Sequence, residues 1–169
     1  MQPERVIAEL RGAPAIVRAL VADLPPAEAC VRPAPDAWSV RDVLCHLLDE
    51  ERLDFAVRLA YTLQRPGEPW PPIDTLGWVT SHDYASADPA ETLASWEAER
   101  ARSLAWLAGL KAPDWEATYA APWGPMRAGD LLASWAAHDT FHQRQIVRLR
   151  YRRLQTLAAP YSLRYAGDW

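Results

Sequence analysis

Glycine is scarce in this chain. Its 169 residues hold only seven, against fifteen prolines, and no run alternates apolar and polar residues between turn signals. A β-rich fold is therefore not expected. Cys30 and Cys45 are the two cysteines, too few for a disulfide scaffold and suited to a reduced, cytoplasmic setting. No apolar run approaches membrane-spanning length, and the opening MQPERVIAELRG carries charges throughout, unlike a secretory leader. Excess positive charge is missing too. A formal net charge of −4 and a pI near 5.5 argue against a general nucleic-acid binder. The local exception, RLRYRRL from Arg148 to Leu154, reads as a solvated helix end favoured by the helix dipole.

What is present is helix-forming. Half the residues are hydrophobic, and 169 residues suffice for one domain, 1–169, with a real core. Prolines cluster in LPPAEACVRPAPDAW, QRPGEPWPPIDT and KAPDWEATYAAPWGP, leaving four long segments rich in Ala, Leu, Arg and Glu and poor in β-branched residues. The first helix is expected over Pro3–Leu24, with Pro14 kinking or dividing it. The second opens at WSVRDVLCHLLDEERLDFAVRLAYTLQ, where Ser39 is a natural N-cap and Asp42 stands where a capping box wants an acid. In the third, Asp88 caps, Pro89 occupies the first turn and Gly109 lies near the end. The fourth runs from about Ala128 to Leu157. The pattern predicts an all-α four-helix bundle with long loops between helices, the stretch from Pro66 to Ser86 serving as a crossover or lid.

The fourth helix carries HDTFHQRQ. At about 100° per residue, Leu131, Trp135, His138, His142, Gln145 and Leu149 fall on one stripe, while Asp139, Arg144 and Arg148 point elsewhere. Two imidazoles in a Leu/Trp stripe are either hydrogen-bonded core residues or ligands, and burial is costly unless something satisfies them. His46, on the inward side of the second helix near Val43 and Leu47, adds a third nitrogen and tips the reading toward a metal. Three neutral nitrogens suit Zn²⁺ or Ni²⁺ first, and Fe²⁺ also, with water in the open positions. Glu50 and Asp54 lean toward the same sector. HDTFH is one residue from the zincin pattern HExxH, but Asp139 is a methylene shorter than the Glu base and the accompanying features are absent. His82, in TSHDY, reads as a solvent-exposed loop residue. Cys45 is set aside as a ligand because adjacent helix residues diverge by about 100°.

WSVRDVLCHLLDEE, followed about ninety residues later by HDTFHQRQI, resembles the DinB/YfiT-like superfamily of metal-binding four-helix bundles. The shared pattern is Trp38–Ser39 opening the second helix, His46 seven residues after the Ser, then His138, His142, Gln145 and Ile146. The resemblance spans about Val6 to Arg153. It implies a triad of His46, His138 and His142, and often a homodimer. Characterised relatives include transferases using low-molecular-weight thiols and a mycothiol-dependent maleylpyruvate isomerase. The tail AAPYSLRYAGDW maps onto no functional subgroup.

The resemblance and the residues together predict a divalent-metal-dependent enzyme acting on a small molecule, with a low-molecular-weight thiol as the nucleophile. The alternatives are a metal-dependent hydrolase and a non-catalytic, metal-stabilised stress or interaction protein. Glu50 is the candidate catalytic residue, for proton transfer or for orienting the site. Gln145 is expected to hydrogen-bond rather than ligate, and Trp78, Tyr84 and Trp123 to line a cavity mouth. Nine tryptophans exceed what one small bundle core readily buries, which agrees with a homodimer. Light scattering at micromolar concentration should give twice 19.0 kDa; a mass near 19.0 kDa would exclude the dimer.

Overall fold

Ser39 begins the second helical segment as its residue type dictates. Its hydroxyl accepts from the Asp42 N–H at 3.2 Å, while the Asp42 carboxylate accepts from the Ser39 N–H at 2.8 Å. In the computed structural model, which describes residues 1–167, this capping box opens α3 (Val40–Leu53). The other elements are α1 (Pro3–Val21), the short α2 (Pro26–Ala29), α4 (Phe55–Gln64), the single turn α5 (Trp78–Ser81) and α6 (Pro89–Gly109). The hairpin β1 (Thr118–Ala121) and β2 (Gly124–Arg127) leads into the long α7 (Ala128–Ala158). α3 packs most extensively on α6, and α1 on α7, with α4 continuing the second arm of a four-helix bundle. Among the described residues, no helix is long and apolar enough to cross a membrane. Asp168 and Trp169, which end the tail, lie outside the described residues.

Three features differ from the sequence expectations. The second segment is not one helix but breaks at Asp54 (φ −119°, ψ −90°), whose N–H still reaches Glu50 O at 3.1 Å. Aspartate is a weak helix former, and here its carboxylate makes no capping bond but lies 2.8 Å from Arg58 Nε. The β-hairpin was not foreseen, because four-residue strands are too short to show an alternating pattern. Its two-residue connection, Pro122–Trp123, ends on Gly124 at φ +128°, a conformation that glycine tolerates best. Tyr119 in β1 stacks on Trp70 at 3.9 Å and caps one end of the core.

The third feature is Pro14. α1 runs through it unbroken. Proline lacks the N–H that would bond Leu10 O one turn earlier. That carbonyl instead accepts from Arg100 Nη1 of α6 at 2.9 Å. Arg100 is 1 % exposed and also binds Glu51 Oε2 of α3 (2.7 Å) and Asp139 Oδ2 of α7 (2.6 Å). Trp135 Nε1 donates to the same Glu51 oxygen at 3.0 Å. Burial opposes the charge on Arg100, but the bonds to Asp139 and Glu51 outweigh it and hold the guanidinium more firmly protonated than usual.

These groups form a polar layer across the bundle. On one side lie Leu10, Leu59, Leu107, Leu131 and Trp135. On the other lie Ala13, Val17, Val43, Leu47, Trp96 and Ile146. Along α7 the order is Trp135, then His138, Asp139 and His142, then Ile146, so the histidines sit in the polar layer between two apolar clusters. Replacing Arg100 by Leu should destabilise the fold by about 3–5 kcal/mol, because Glu51 and Asp139 would be left buried without a counter-charge. Urea denaturation at neutral pH measures this, and a loss under about 1 kcal/mol would show that the network is not a structural keystone.

Candidate metal centre

α3 supplies one imidazole to the polar layer and α7 supplies two. His138 and His142, four residues apart, project one above the other on α7, and His46 faces them from α3. His138 Nε2 lies 3.2 Å from His46 Nε2 and 3.1 Å from His142 Nε2, and all three donor atoms fall within 4.8 Å of one another. Metal–nitrogen bonds of about 2.0–2.1 Å imply nitrogen separations of about 2.9 Å at right angles and about 3.3 Å at tetrahedral angles. Both separations from His138 fall between these limits.

The electronic state of the rings suits the same purpose. Burial drives the pKa of His46 down to about 3 and that of His138 to about 2, with the neighbouring imidazoles adding to the effect. His142 is lowered as well by burial, against the opposing effect of the hydrogen bond it donates to Gln145. All three rings are therefore neutral at pH 7. Gln145 Oε1 accepts from His142 Nδ1 at 2.8 Å, which places the proton on Nδ1 and turns the Nε2 lone pair toward the other rings. His46 Nδ1 is buried without a hydrogen-bond partner. Three Nε2 lone pairs converging in a low-dielectric layer fit a divalent cation better than a self-contained hydrogen-bond network.

Aromatic and acidic groups surround the triad. Trp38 lies 4.8 Å from the His46 ring and stacks near His142 at 6.3 Å and 15°, while Phe55 packs 5.0 Å from His138. Glu50 Oε1 is 3.7 Å from His46 Nε2, and its side chain is buried. Burial, followed by the neighbouring Asp54, pushes the Glu50 pKa up to about 8. Asp54 is raised by burial too, although Arg58 Nε lies 2.8 Å from its Oδ1 and opposes the shift. Behind Glu50, Asp49 Oδ2 accepts from the Tyr84 hydroxyl at 2.7 Å and from His82 Nδ1 at 2.9 Å.

The structure thus brings together His46, His138, His142, Glu50 and Gln145, and it redistributes several other residues. Asp139 does turn away from the histidine stripe, yet it is buried against Arg100 rather than directed to solvent. His82 is exposed but engaged by Asp49. Trp78 and Tyr84 do not line a cavity mouth; they are buried against Cys45, whose thiol pKa burial raises to about 11. Trp123 is 66 % exposed on the hairpin turn. The aromatic residues against the triad are Trp38 and Phe55. Trp38 carried a signal through its place beside the capping Ser39, whereas Phe55 carried none.

A model of the DinB superfamily matches residues 9–146. The chain belongs to that superfamily. Among solved structures, YfiT from Bacillus subtilis is similar over 90 % of this chain and 87 % of its own, with a TM-score of 0.79 and 23 % identity. It is described as a probable metal-dependent hydrolase with an unusual four-helix bundle topology. A variant of the mycothiol-dependent maleylpyruvate isomerase is similar over 86 % of this chain and 61 % of its own, with a TM-score of 0.70 and 10 % identity. At these identities the likeness is one of fold. Among curated proteins, none matches the chain.

The pKa shifts give the metal-free DinB-superfamily bundle a defined pH dependence. His46 and His138 titrate lower when folded than their ordinary 6.5, so the unfolded chain binds more protons below 6.5 and stability falls as pH drops from there toward about 3. Glu50 titrates higher than its ordinary 4.5, so its contribution is lost as pH rises from 4.5 through about 8. Each proton changes stability by up to about 1.4 kcal/mol per pH unit. Chemical denaturation of the metal-free protein should show a maximum near pH 6.5, and Glu50→Gln should flatten its alkaline side. A profile rising steadily to pH 9 would contradict the Glu50 assignment.

Proposed function

We propose that the protein is a divalent-metal-dependent enzyme, with His46, His138 and His142 holding one ion through Nε2 and Glu50 moving the proton of the nucleophile. Zn²⁺ and Ni²⁺ suit three neutral imidazoles best, and Fe²⁺ is also compatible. When bound, the ion would lower the pKa of a coordinated nucleophile and polarise an electrophile beside it. Trp38 and Phe55 pack around the imidazoles and limit water around the site. Gln145 holds the His142 tautomer.

The observation that carries the reading is the buried Glu50 carboxyl beside the triad, with Oε1 3.7 Å from His46 Nε2. A thiol, with an ordinary pKa of about 8.5, needs little more than a cation to become a thiolate. Water, at about 15.7, gains much more from a base. A proton acceptor held in this position therefore favours hydrolysis of a small-molecule ester or amide, in keeping with the description of YfiT. Low-molecular-weight thiol transfer is the second reading, supported by the shared fold of the mycothiol-dependent isomerase.

Metal analysis of the purified chain should find one equivalent of divalent ion, and His142→Ala should abolish stoichiometric uptake. Glu50→Gln should retain the ion while turnover falls about 10²–10⁴-fold, the usual contribution of a general base. Retained metal affinity in His142→Ala would sink the triad assignment. In the Co²⁺-substituted protein, a low-molecular-weight thiol that adds a sulfur-to-metal charge-transfer band in the near ultraviolet would favour thiol transfer over hydrolysis.

A further inference from the structure

The basic run on α7 is not a helix end. α7 continues to Ala158 and has no basic residue in its last turn, so the macrodipole, which acts within that turn, does not account for Arg148 and Arg152. The four arginines of the run divide by face. Arg150 pairs with Asp23 of the α1–α2 connection, and Arg153 pairs with Glu28 of α2. Arg148 and Arg152, one turn apart on another face, have no acidic partner among the described residues, and neither has Arg164 of the tail. Like charges four apart on a helix repel one another, so leaving both unpaired is unfavourable without a counter-ion.

These three arginines line one cavity. The tail folds back along α7 and leaves an open cleft of about 570 Å³ between the helix and residues Tyr161–Gly167, with the exposed Arg148, Arg152 and Arg164 in its wall. A second cavity of about 480 Å³ shares Arg148 and Arg152 and extends to Trp38 and Gln145. Gln145 bonds His142 Nδ1 and Trp38 lies 6.3 Å from the same ring, so this cavity adjoins the Nδ1 side of His142. Asp36 is the one acid in the two walls. At 1.5 Å per residue, Arg148 and Arg152 stand about 9 and 15 Å along α7 from His142.

We infer that this arginine-lined cavity is an anion subsite of the metal centre: the substrate is an elongated small molecule that places a carboxylate or phosphate between Arg148, Arg152 and Arg164 while its reacting group lies at the triad. This rests on the triad being the reaction centre. Guanidinium forks bind either anion through paired N–H donors. The roughly nanometre spacing sets the length of molecule that spans both positions.

Inorganic phosphate and glutarate are titrated calorimetrically, at fixed ionic strength, into the full chain with and without metal. At least one should bind saturably to both forms, and the tighter of the two identifies the anion class. In Arg148→Gln/Arg152→Gln the dissociation constant should rise tenfold or more. Arg5→Gln/Arg11→Gln, an equal change of charge at exposed positions on α1, should leave it within twofold. Circular-dichroism melting checks that both variants are folded. On the Co²⁺ protein, an ω-mercaptocarboxylate long enough to span the two positions should bind at least tenfold tighter than the alkanethiol of equal length, and lose that advantage in Arg148→Gln/Arg152→Gln. No saturable anion binding, equal loss in both double variants, or no advantage for the mercaptocarboxylate overturns the subsite. Failure to take up metal would instead overturn the reaction centre, and the anion titrations on the metal-free chain would still decide whether the cavity binds anions.

Discussion

Every long helix of the bundle meets at one guanidinium. Arg100 projects from α6 and bonds Glu51 on α3, Asp139 on α7 and the Leu10 carbonyl on α1. A buried arginine has no stable position without such partners, so its location constrains the relative heights of four helices at once. The constraint passes directly to the chemistry. Glu51 adjoins Glu50, and Asp139 adjoins His138, so the backbone on both sides of the candidate centre is pinned by the same cation. The ion network and the histidine cluster are two halves of one polar layer.

That layer works by contrast with what encloses it. The apolar clusters above and below remove water, and desolvation then decides the protonation of everything between them. The imidazoles are held neutral, the Glu50 carboxyl is pushed toward its protonated form, and Arg100 stays charged because carboxylates surround it. One physical cause, burial, thus gives three outcomes according to partner. Groups without an opposite charge nearby lose their own charge and become available as lone-pair donors or proton carriers.

Much of this was legible in the chain. The 3.6-residue period placed His138, His142 and Gln145 on one stripe, and Ser39 with Asp42 marked the start of the helix that presents His46. Those signals are local, and local signals survive folding. The polar residues that proved central did not announce themselves. Arg100 lies in EAERARS, where its neighbours Glu99, Ala101 and Arg102 make it look like part of a solvated face. Asp139 was rightly turned about 100° from His138, but α7 is covered by α1 as well as α3, so a second face of that helix is also interior. The break at Asp54 involves near neighbours, Glu50 and Arg58, but aspartate also occurs inside helices, so its identity alone did not mark the break. The fold-back of the tail onto Arg148 and Arg152 likewise involves residues with no periodic pattern.

Pro14 has a consequence for how the helices find one another. In an uninterrupted helix every interior carbonyl is already taken, and one turn looks much like the next to an approaching neighbour. The missing N–H makes a single turn of α1 different from all the others. A misaligned docking of α6, shifted by one turn up or down, would bring Arg100 against carbonyls that have no bond to offer and would bury its charge unsatisfied. The proline therefore acts as a notch that selects one sliding position between two otherwise smooth cylinders. The histidine layer inherits its alignment from that choice.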